Sequence, residues 1–518
     1  MVFIIILTPS CIVVEIMNSP TFFTSIVGTI TGMICGMFIT PTQIKNHFWI
    51  GILLVFLWMF FLRWYFSIKK TLGLGFLFFI CIAIGFLRVD SFHSKYSFTD
   101  FDRYHNQKIT VVGIVRGPPV YKPGVQLIKI HPQVINGNNI DTTTRDIVFK
   151  ISDLELFSPG DQVVFSGTFK TRLDFESNNG RIVEYRLMSY SKKIAGDIVY
   201  PKILVHKKNN ANVLQVFSSI KKSFIQSLNN VFLSPVSGLL SGIIIGDTSG
   251  IDSTMTDIFR SVGLIHIIVL SGYNITLVAN FFVRIFSLLG YYRRLVAAII
   301  ALMFFIGIVG ISPTATRAGI MALCAFTARY YIRPYIITRG IGIALVIMAW
   351  ISPYSLLFDV SLQLSFLATI GIVYVFPLLS EKFPRIQSNN FGEIFLQTVA
   401  VNSMTLPIII YLMGDFSLIS FPVNVLILSL IPWVTVGGFG SVFVGMVSVP
   451  LGKIFGFPIQ VITQVIIDFA TWVARHDPFR IVFQPFSVTW LLVVYGIMFF
   501  VLLIVTRITF KKVVKTVY

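Results

Sequence analysis

The chain has 518 residues, 55% of them hydrophobic and only 12% charged, whereas a soluble domain is about 25% charged. With a mean hydropathy of +0.82 it cannot cover a water-facing surface with polar groups, which excludes a cytosolic enzyme, a secreted disulfide scaffold and a disordered regulator. The net charge of +19 is unevenly spread: residues 89–213 hold 17 of the 41 Lys and Arg and 12 of the 22 Asp and Glu. That stretch has the mixture of a water-soluble domain, and the rest reads as membrane helices with basic loops. The excess has two readings, positive-inside topology and a path for a polyanion.

Residues 2–14 are apolar but short of a span and lack the basic start of a signal peptide; Met1 and Met17 both remain open as the start. Three spans are expected near 22–39, 48–66 and 72–88. Lys69 and Lys70 place the second connection in the cytoplasm, so the third span delivers 89–213 to the outside. There the apolar runs shorten. Ile109–Val115, Gln126–Ile130, Ile147–Ile151, Gln162–Phe169 and Ile194–Tyr200 read as strands. Turn clusters such as Gly117-Pro118-Pro119 and Ser158-Pro159-Gly160-Asp161 separate them, and together they suit a small OB-like barrel.

An amphipathic helix is predicted over 213–232, with Val213, Phe217, Ile220, Phe224, Leu228 and Val231 on one face. It suits the membrane interface or packing on the small domain. Residues 235–245 are long enough only for a re-entrant piece. Spans are then expected near 264–289, 296–311, 315–331, 340–351, 356–378, 394–413, 421–449, 454–474 and 487–506. The basic clusters fall cytoplasmic, with a cytoplasmic C-terminus, if 264–289 runs out-to-in; Arg475 and Arg480 are the exception. The fold class is therefore a polytopic α-helical membrane protein of about 10–12 spans with one inserted extracytoplasmic β-barrel domain.

Cys11, Cys35, Cys81 and Cys324 lie in apolar segments without metal spacing, and the seven histidines are scattered, so no metal or cofactor is expected. The densest polar pattern is 234–280. Gly238, Ser241, Gly242 and Gly246 allow close backbone approach. Asp247 closes one apolar run, and His266, Ser271 and Asn274 sit inside the next. Polar groups at membrane depth face partners or a water-filled cavity, so these residues line a path or form an interhelical hydrogen-bond knot.

Residues Gly242–Asp252 with Gly263-Leu-Ile-His266 and Ser271-Gly272 resemble the signature of ComEC-type competence proteins. Pro313-Thr-Ala-Thr-Arg317-Ala, Asp359-Val-Ser-Leu-Gln363-Leu-Ser365-Phe, and Thr405-Leu-Pro407 followed by Phe416-Ser417 and Asn424 continue the resemblance in order over about 20–475. The family passes single-stranded DNA through the bacterial inner membrane during natural transformation. The resemblance implies a DNA receptor, a helicase or ATPase and, since the chain ends without the family's frequent metallo-β-lactamase-like domain, a separate nuclease as partners, beside membrane lipid. Asn274 stands where members often carry histidine, so no proton-dependent role is expected there. The implied organisation is 1–88 as membrane helices, 89–212 as the OB-like domain, 213–233 as the interfacial helix, 234–507 as the channel domain and 508–518 as a basic cytoplasmic tail.

On this reading the candidate DNA path is Asp247, Arg260, His266, Ser271, Asn274, Arg317, Asp359, Gln363, Asn402 and Asn424, with Arg284 either a further phosphate contact or a cytoplasmic-end anchor. Arg317 is the leading phosphate contact, with Asp359, Gln363 and Asn402 as its polar neighbours; the alternative is a structural Arg317–Asp359 bridge. In the β domain, Lys122, Lys129, Lys150, Lys170 and Arg172 are candidate phosphate contacts. Tyr121, Phe149, Phe165 and Phe169 either stack bases or form the core. No phosphate-binding GxxxxGK[ST] loop is present, so no motor is expected in the chain. The alternative function is a small-solute transporter or flippase. An intramembrane hydrolase using Ser271 and His266 is disfavoured, because their spacing sets them about 140° apart on one helix.

Overall fold

The computed structural model describes residues 20–38, 58, 71–96, 101–117, 119–122, 125–139, 145–151, 157–176, 182–208, 213–268, 272–310, 312–476, 480–484 and 486–517. They divide into two compact units. The first is Met1–Lys95 with Pro334–Gly414 and Gln484–Tyr518; the second is Tyr96–Arg333 with Asp415–Phe483. The expected span 48–66 and the apolar 2–14 lie outside the described residues.

In the first unit, α1 (Pro20–Phe38) packs along α2 (Thr71–Lys95). Glycines make this approach possible: a Cβ on Gly36 would lie 3.1 Å from Val89, and Gly32 and Gly85 face partner backbone directly. The third expected span runs on to Lys95, past its predicted end at 88.

The β domain opens the second unit. Its strands are β1 (Lys108–Val115), β2 (Val125–Ile135), β3 (Asp146–Ile151) and β4 (Gln162–Thr171); after the short helix α3 (Tyr185–Ser191) come β5 (Ile194–Val199) and β6 (Lys202–Lys207). The strand order is β1-β2-β3-β5-β4, with β4 pairing back on β1. β3 and β5 are parallel and the other neighbours antiparallel. This is a closed five-stranded OB-like barrel, extended by β6 on β4. Closure buries every second residue, among them Ile109, Val111, Ile128, Ile130, Phe149, Val163, Phe165, Phe169 and Ile198. All five predicted strands are present. β2 continues past its predicted end at Ile130 because a register shift at Val112/Gly113 accommodates Pro132 opposite Gly113, where a missing N–H costs least. β6 and α3 were not anticipated.

The second unit continues with α4 (Val213–Val231), α5 (Val236–Ile245), α6 (Ser253–Ser261), α7 (Ile265–Ile268), α8 (Gly272–Ile285), α9 (Tyr291–Val309) and α10 (Pro313–Tyr330). The apolar face of the amphipathic α4, with Phe224, Leu228 and Val231, is taken up by α5, α9 and two long helices of the same unit given below. At the expected span 264–289 the chain turns through Gly263 in the left-handed region (φ +77°) into α7, and α8 is described from Gly272, residues 269–271 lying outside the described residues.

The first unit resumes with α11 (Ile337–Ile351), α12 (Ser355–Phe358), α13 (Val360–Ile370), a π-helical turn (Gly371–Val375), α14 (Phe376–Lys382), α15 (Pro384–Gln387) and α16 (Asn390–Met413). The second unit takes back the short strand β7 (Asp415–Ser417), paired with β8 (Arg480–Val482), and the hairpin of α17 (Ser420–Val447) and α18 (Val449–Arg475). The first unit closes with α19 (Val488–Val517), which carries the expected tail along as helix.

Among the described residues, eight helices are long and apolar enough to cross a membrane. Large apolar side chains such as Trp433, Phe455, Phe457, Leu492 and Phe500 stand more than half exposed on them, as lipid-facing residues do. The chain is a multi-pass membrane protein.

Candidate functional site

The helix α5 is buried along its whole length. It is surrounded at backbone distance, since a Cβ on Gly250 would lie 2.9 Å from the Gly238 Cα, and Gly242 faces the Ile268 carbonyl. Small residues rather than attraction set this geometry. Gly246 ends the helix in the left-handed region (φ +69°). Asp247 then folds the loop, accepting from the Ser249 hydroxyl at 2.8 Å, and Asp252 caps α6 by accepting from the Met255 N–H at 2.6 Å.

A helix end leaves its last carbonyls unpaired. The buried Asn274 on α8 serves one of them, its Nδ2 donating to the Ile243 carbonyl at 2.9 Å. Arg260 pairs with Asp257 at 2.6 Å on the exposed side of α6. His266 holds the turn before α7, its Nδ1 donating to the Gly263 carbonyl at 3.1 Å; in the neutral ring this leaves Nε2 as an acceptor. Ser271 lies outside the described residues.

Gly263 rests on the start of α17, where a Cβ would meet that of Ser420 at 2.8 Å. Ser417 at the end of β7 and Ser420 and Asn424 on α17 are buried, and the oxygens Ser417 Oγ, Ser420 Oγ and Asn424 Oδ1 have no hydrogen-bond partner among the described residues. Ser417 belongs to the Phe416-Ser417 motif, whereas Ser420 carried no motif of its own.

Arg317 sits one turn inside α10, whose first turn is fixed by Pro313 and by the Ser312 hydroxyl accepting from the Ala315 N–H at 3.2 Å. The Arg317 guanidinium reaches Gly272, the first residue of α8: a Cβ there would lie 2.8 Å from Nη2. A cation is thereby set against the positive end of a helix dipole, an arrangement that an anion relieves.

The expected neighbours Asp359, Gln363 and Asn402 belong to the first unit, whereas Arg317 belongs to the second. Each of the first two has a local duty. The Asp359 carboxylate caps α13, accepting from the Ser361 N–H at 3.0 Å and the Leu362 N–H at 3.4 Å. Gln363 Nε2 donates to the carbonyls of Leu356 and Leu357 at 3.1 and 2.7 Å, closing the α12–α13 turn. Asn402 is half-buried on α16.

On the barrel, Lys129 and Lys150 stand on the paired strands β2 and β3, with Lys170 exposed on β4. Lys150 Nζ lies 3.0 Å from Asp197, and Arg172 Nη2 lies 2.6 Å from the same carboxylate. His131 and Arg116 share Asp146 at 3.1 and 3.3 Å. The face is therefore partly neutralised, and Lys129 and Lys170 are its more available charges. Lys129 rises from a crowded part of the sheet. That desolvation pushes its ammonium below the ordinary lysine range; Asp146 opposes the shift, and Lys192 and Arg172 add to it. Phe149, Phe165 and Phe169 do not stack bases: all three are fully buried in the barrel core, because their strand positions alternate inward. Tyr121 and Lys122 lie in a short strand on β2, and their side chains are outside the described set. Among the described residues no group of His, Cys, Asp or Glu could hold a metal ion.

Residues 243–508 match the family model described as competence protein. A search of characterised proteins finds ComE operon protein 3 of Bacillus subtilis (strain 168), 23% identical over 273 residues. The match covers 51% of this chain and 34% of that relative, so the chain matches about a third of the relative's length. No solved structure matches.

Proposed function

The chain belongs to the competence protein family, and from that premise we propose that it is the inner-membrane channel that passes single-stranded DNA into the cytoplasm during natural transformation. The observation that carries this reading is the Arg317 guanidinium set against the first turn of α8 at Gly272. Both residues fall inside the family match, and the guanidinium beside the start of α8 offers a passing phosphate a charge-assisted contact. Asp247, Arg260, His266, Ser271, Asn274 and Asn424 of the second unit, and Asp359, Gln363 and Asn402 of the first, are the proposed path. The barrel lies outside the membrane, with Lys129, Lys170, Lys150 and Arg172 receiving the strand. The C-terminus is cytoplasmic. A DNA receptor, a helicase or ATPase and a separate nuclease complete the system.

The test is uptake of labelled DNA in a transformable host carrying this gene as its sole copy. Arg317→Gln should lower the single-stranded DNA reaching the cytoplasm by about 10- to 100-fold, the worth of a charge-assisted contact of about 1.5–3 kcal/mol, with surface DNA binding intact. Arg317→Lys should recover part of it. Normal uptake in Arg317→Gln, or in a deletion strain, refutes the proposal.

A further inference from the structure

We infer that the ends of α9 and α10 form a stacking platform for single-stranded nucleic acid, separate from the Arg317 position. The inference rests on the proposed function and names a second contact surface for the same substrate. Four tyrosines meet there in one continuous ladder. Tyr291 and Tyr292 lie 5.3 Å apart between ring centroids, Tyr292 and Tyr330 5.2 Å, and Tyr330 and Tyr331 5.3 Å. The Tyr291 hydroxyl donates to the Arg329 carbonyl at 2.9 Å, which ties the start of α9 to the end of α10. The rings remain open, Tyr292 being 49% and Tyr331 67% exposed.

Arginines flank the ladder in sequence. Arg284, Arg293, Arg329 and Arg333 are exposed, and the Arg294 guanidinium lies 5.6 Å from the Tyr291 ring centre. Among the described residues none of these five arginines is in an ion pair. The stretch 258–358 contains eight arginines, no lysine and no acidic residue. Positive-inside topology is served equally by lysine. The exclusive use of guanidinium beside exposed edge-to-face rings instead fits phosphates gripped in bidentate fashion and bases laid on planar side chains. Complementarity to a helix dipole accounts for Arg329 and Arg333 at the end of α10, but Arg293 and Arg294 occupy the first turn of α9, where the dipole disfavours them. A polyanion offsets that cost.

The experiment measures binding of fluorescent oligothymidylate to the full chain in phosphatidylcholine nanodiscs across a salt series. Arg293→Gln/Arg329→Gln/Arg333→Gln should weaken binding at least about tenfold and make the slope of log affinity against log salt shallower by about two. Tyr292→Leu/Tyr331→Leu should weaken it about tenfold with the slope unchanged. Tyr292→Phe/Tyr331→Phe should bind as wild type, which separates lost stacking from misfolding. Unchanged DNA affinity in the arginine and leucine variants overturns the platform. If those variants instead lose enrichment of phosphatidylglycerol, the surface is a lipid anchor. Loss of uptake in Arg317→Gln alongside normal binding and uptake in Tyr292→Leu/Tyr331→Leu removes the platform and leaves the proposed function standing. A wild-type chain that binds no oligothymidylate removes both.

Discussion

At the scale of single residues, the polar side chains within the membrane segments split into those that hold backbone and those that do not. Asn274, Asp359 and Gln363 hold backbone: each meets a helix end that would otherwise leave carbonyls or N–H groups unpaired. Asn274 needs only a donor aimed at the Ile243 carbonyl. Asn274→Leu should therefore lower stability by about 1–3 kcal/mol, the cost of an orphaned buried carbonyl, whereas Asn274→His, which restores a ring N–H, should lose markedly less. Thermal unfolding of the purified protein in detergent checks both; equal losses would show that shape rather than hydrogen bonding fixes the position. The sequence marked these residues as important because they were polar in apolar runs. It did not reveal that each serves a helix end, because a cap and a pore lining present the same residue types.

At the scale of elements, the strongly periodic segments were legible and the breaks were not. The five barrel strands show in the alternation of Ile109–Val115 and Gln162–Phe169. The long helices α16, α17 and α18 follow from uninterrupted apolar length. What escaped was the left-handed turn at Gly263 ahead of α7, since glycine is tolerated within a membrane helix and so does not announce a turn. The burial of Phe149, Phe165 and Phe169 was also undecided until barrel closure fixed which face is inside. Glycine acts by context, and substitution separates the cases. Gly238→Ala drives a methyl group into the Gly250 backbone and should cost about 1–3 kcal/mol or prevent folding. Gly440→Ala on α17 meets open space and should be neutral or gain up to about 1 kcal/mol in helix propensity. Yields of monodisperse protein and melting temperatures read the contrast, and a well-folded Gly238→Ala would mean that the α5 loop can move aside.

At the scale of the whole molecule, the composition indicated a multi-pass membrane protein with an inserted β-barrel domain, and the +19 charge sharpened into something more specific than an excess. In the barrel, part of the positive charge is matched by Asp146 and Asp197. The stretch 258–358 contains no acidic residue, and its Arg260 is matched from just outside it by Asp257. Counting charge over the full chain hid that asymmetry.

The unpaired oxygens of Ser417, Ser420 and Asn424 have a practical consequence for anyone handling this protein. Each buried acceptor left without a donor costs about 1–3 kcal/mol, so the native state is less durable than its packing would permit. Ser420→Ala and Asn424→Leu should raise the melting temperature, and their combination should exceed either alone. A fall in melting temperature for both would mean that these oxygens are hydrogen-bonded through solvent in the native protein. If the melting temperature rises while DNA uptake drops, the second unit is trading durability for function at this seam, and the same substitutions become the means of preparing a rugged, silent form of the protein for biophysical work.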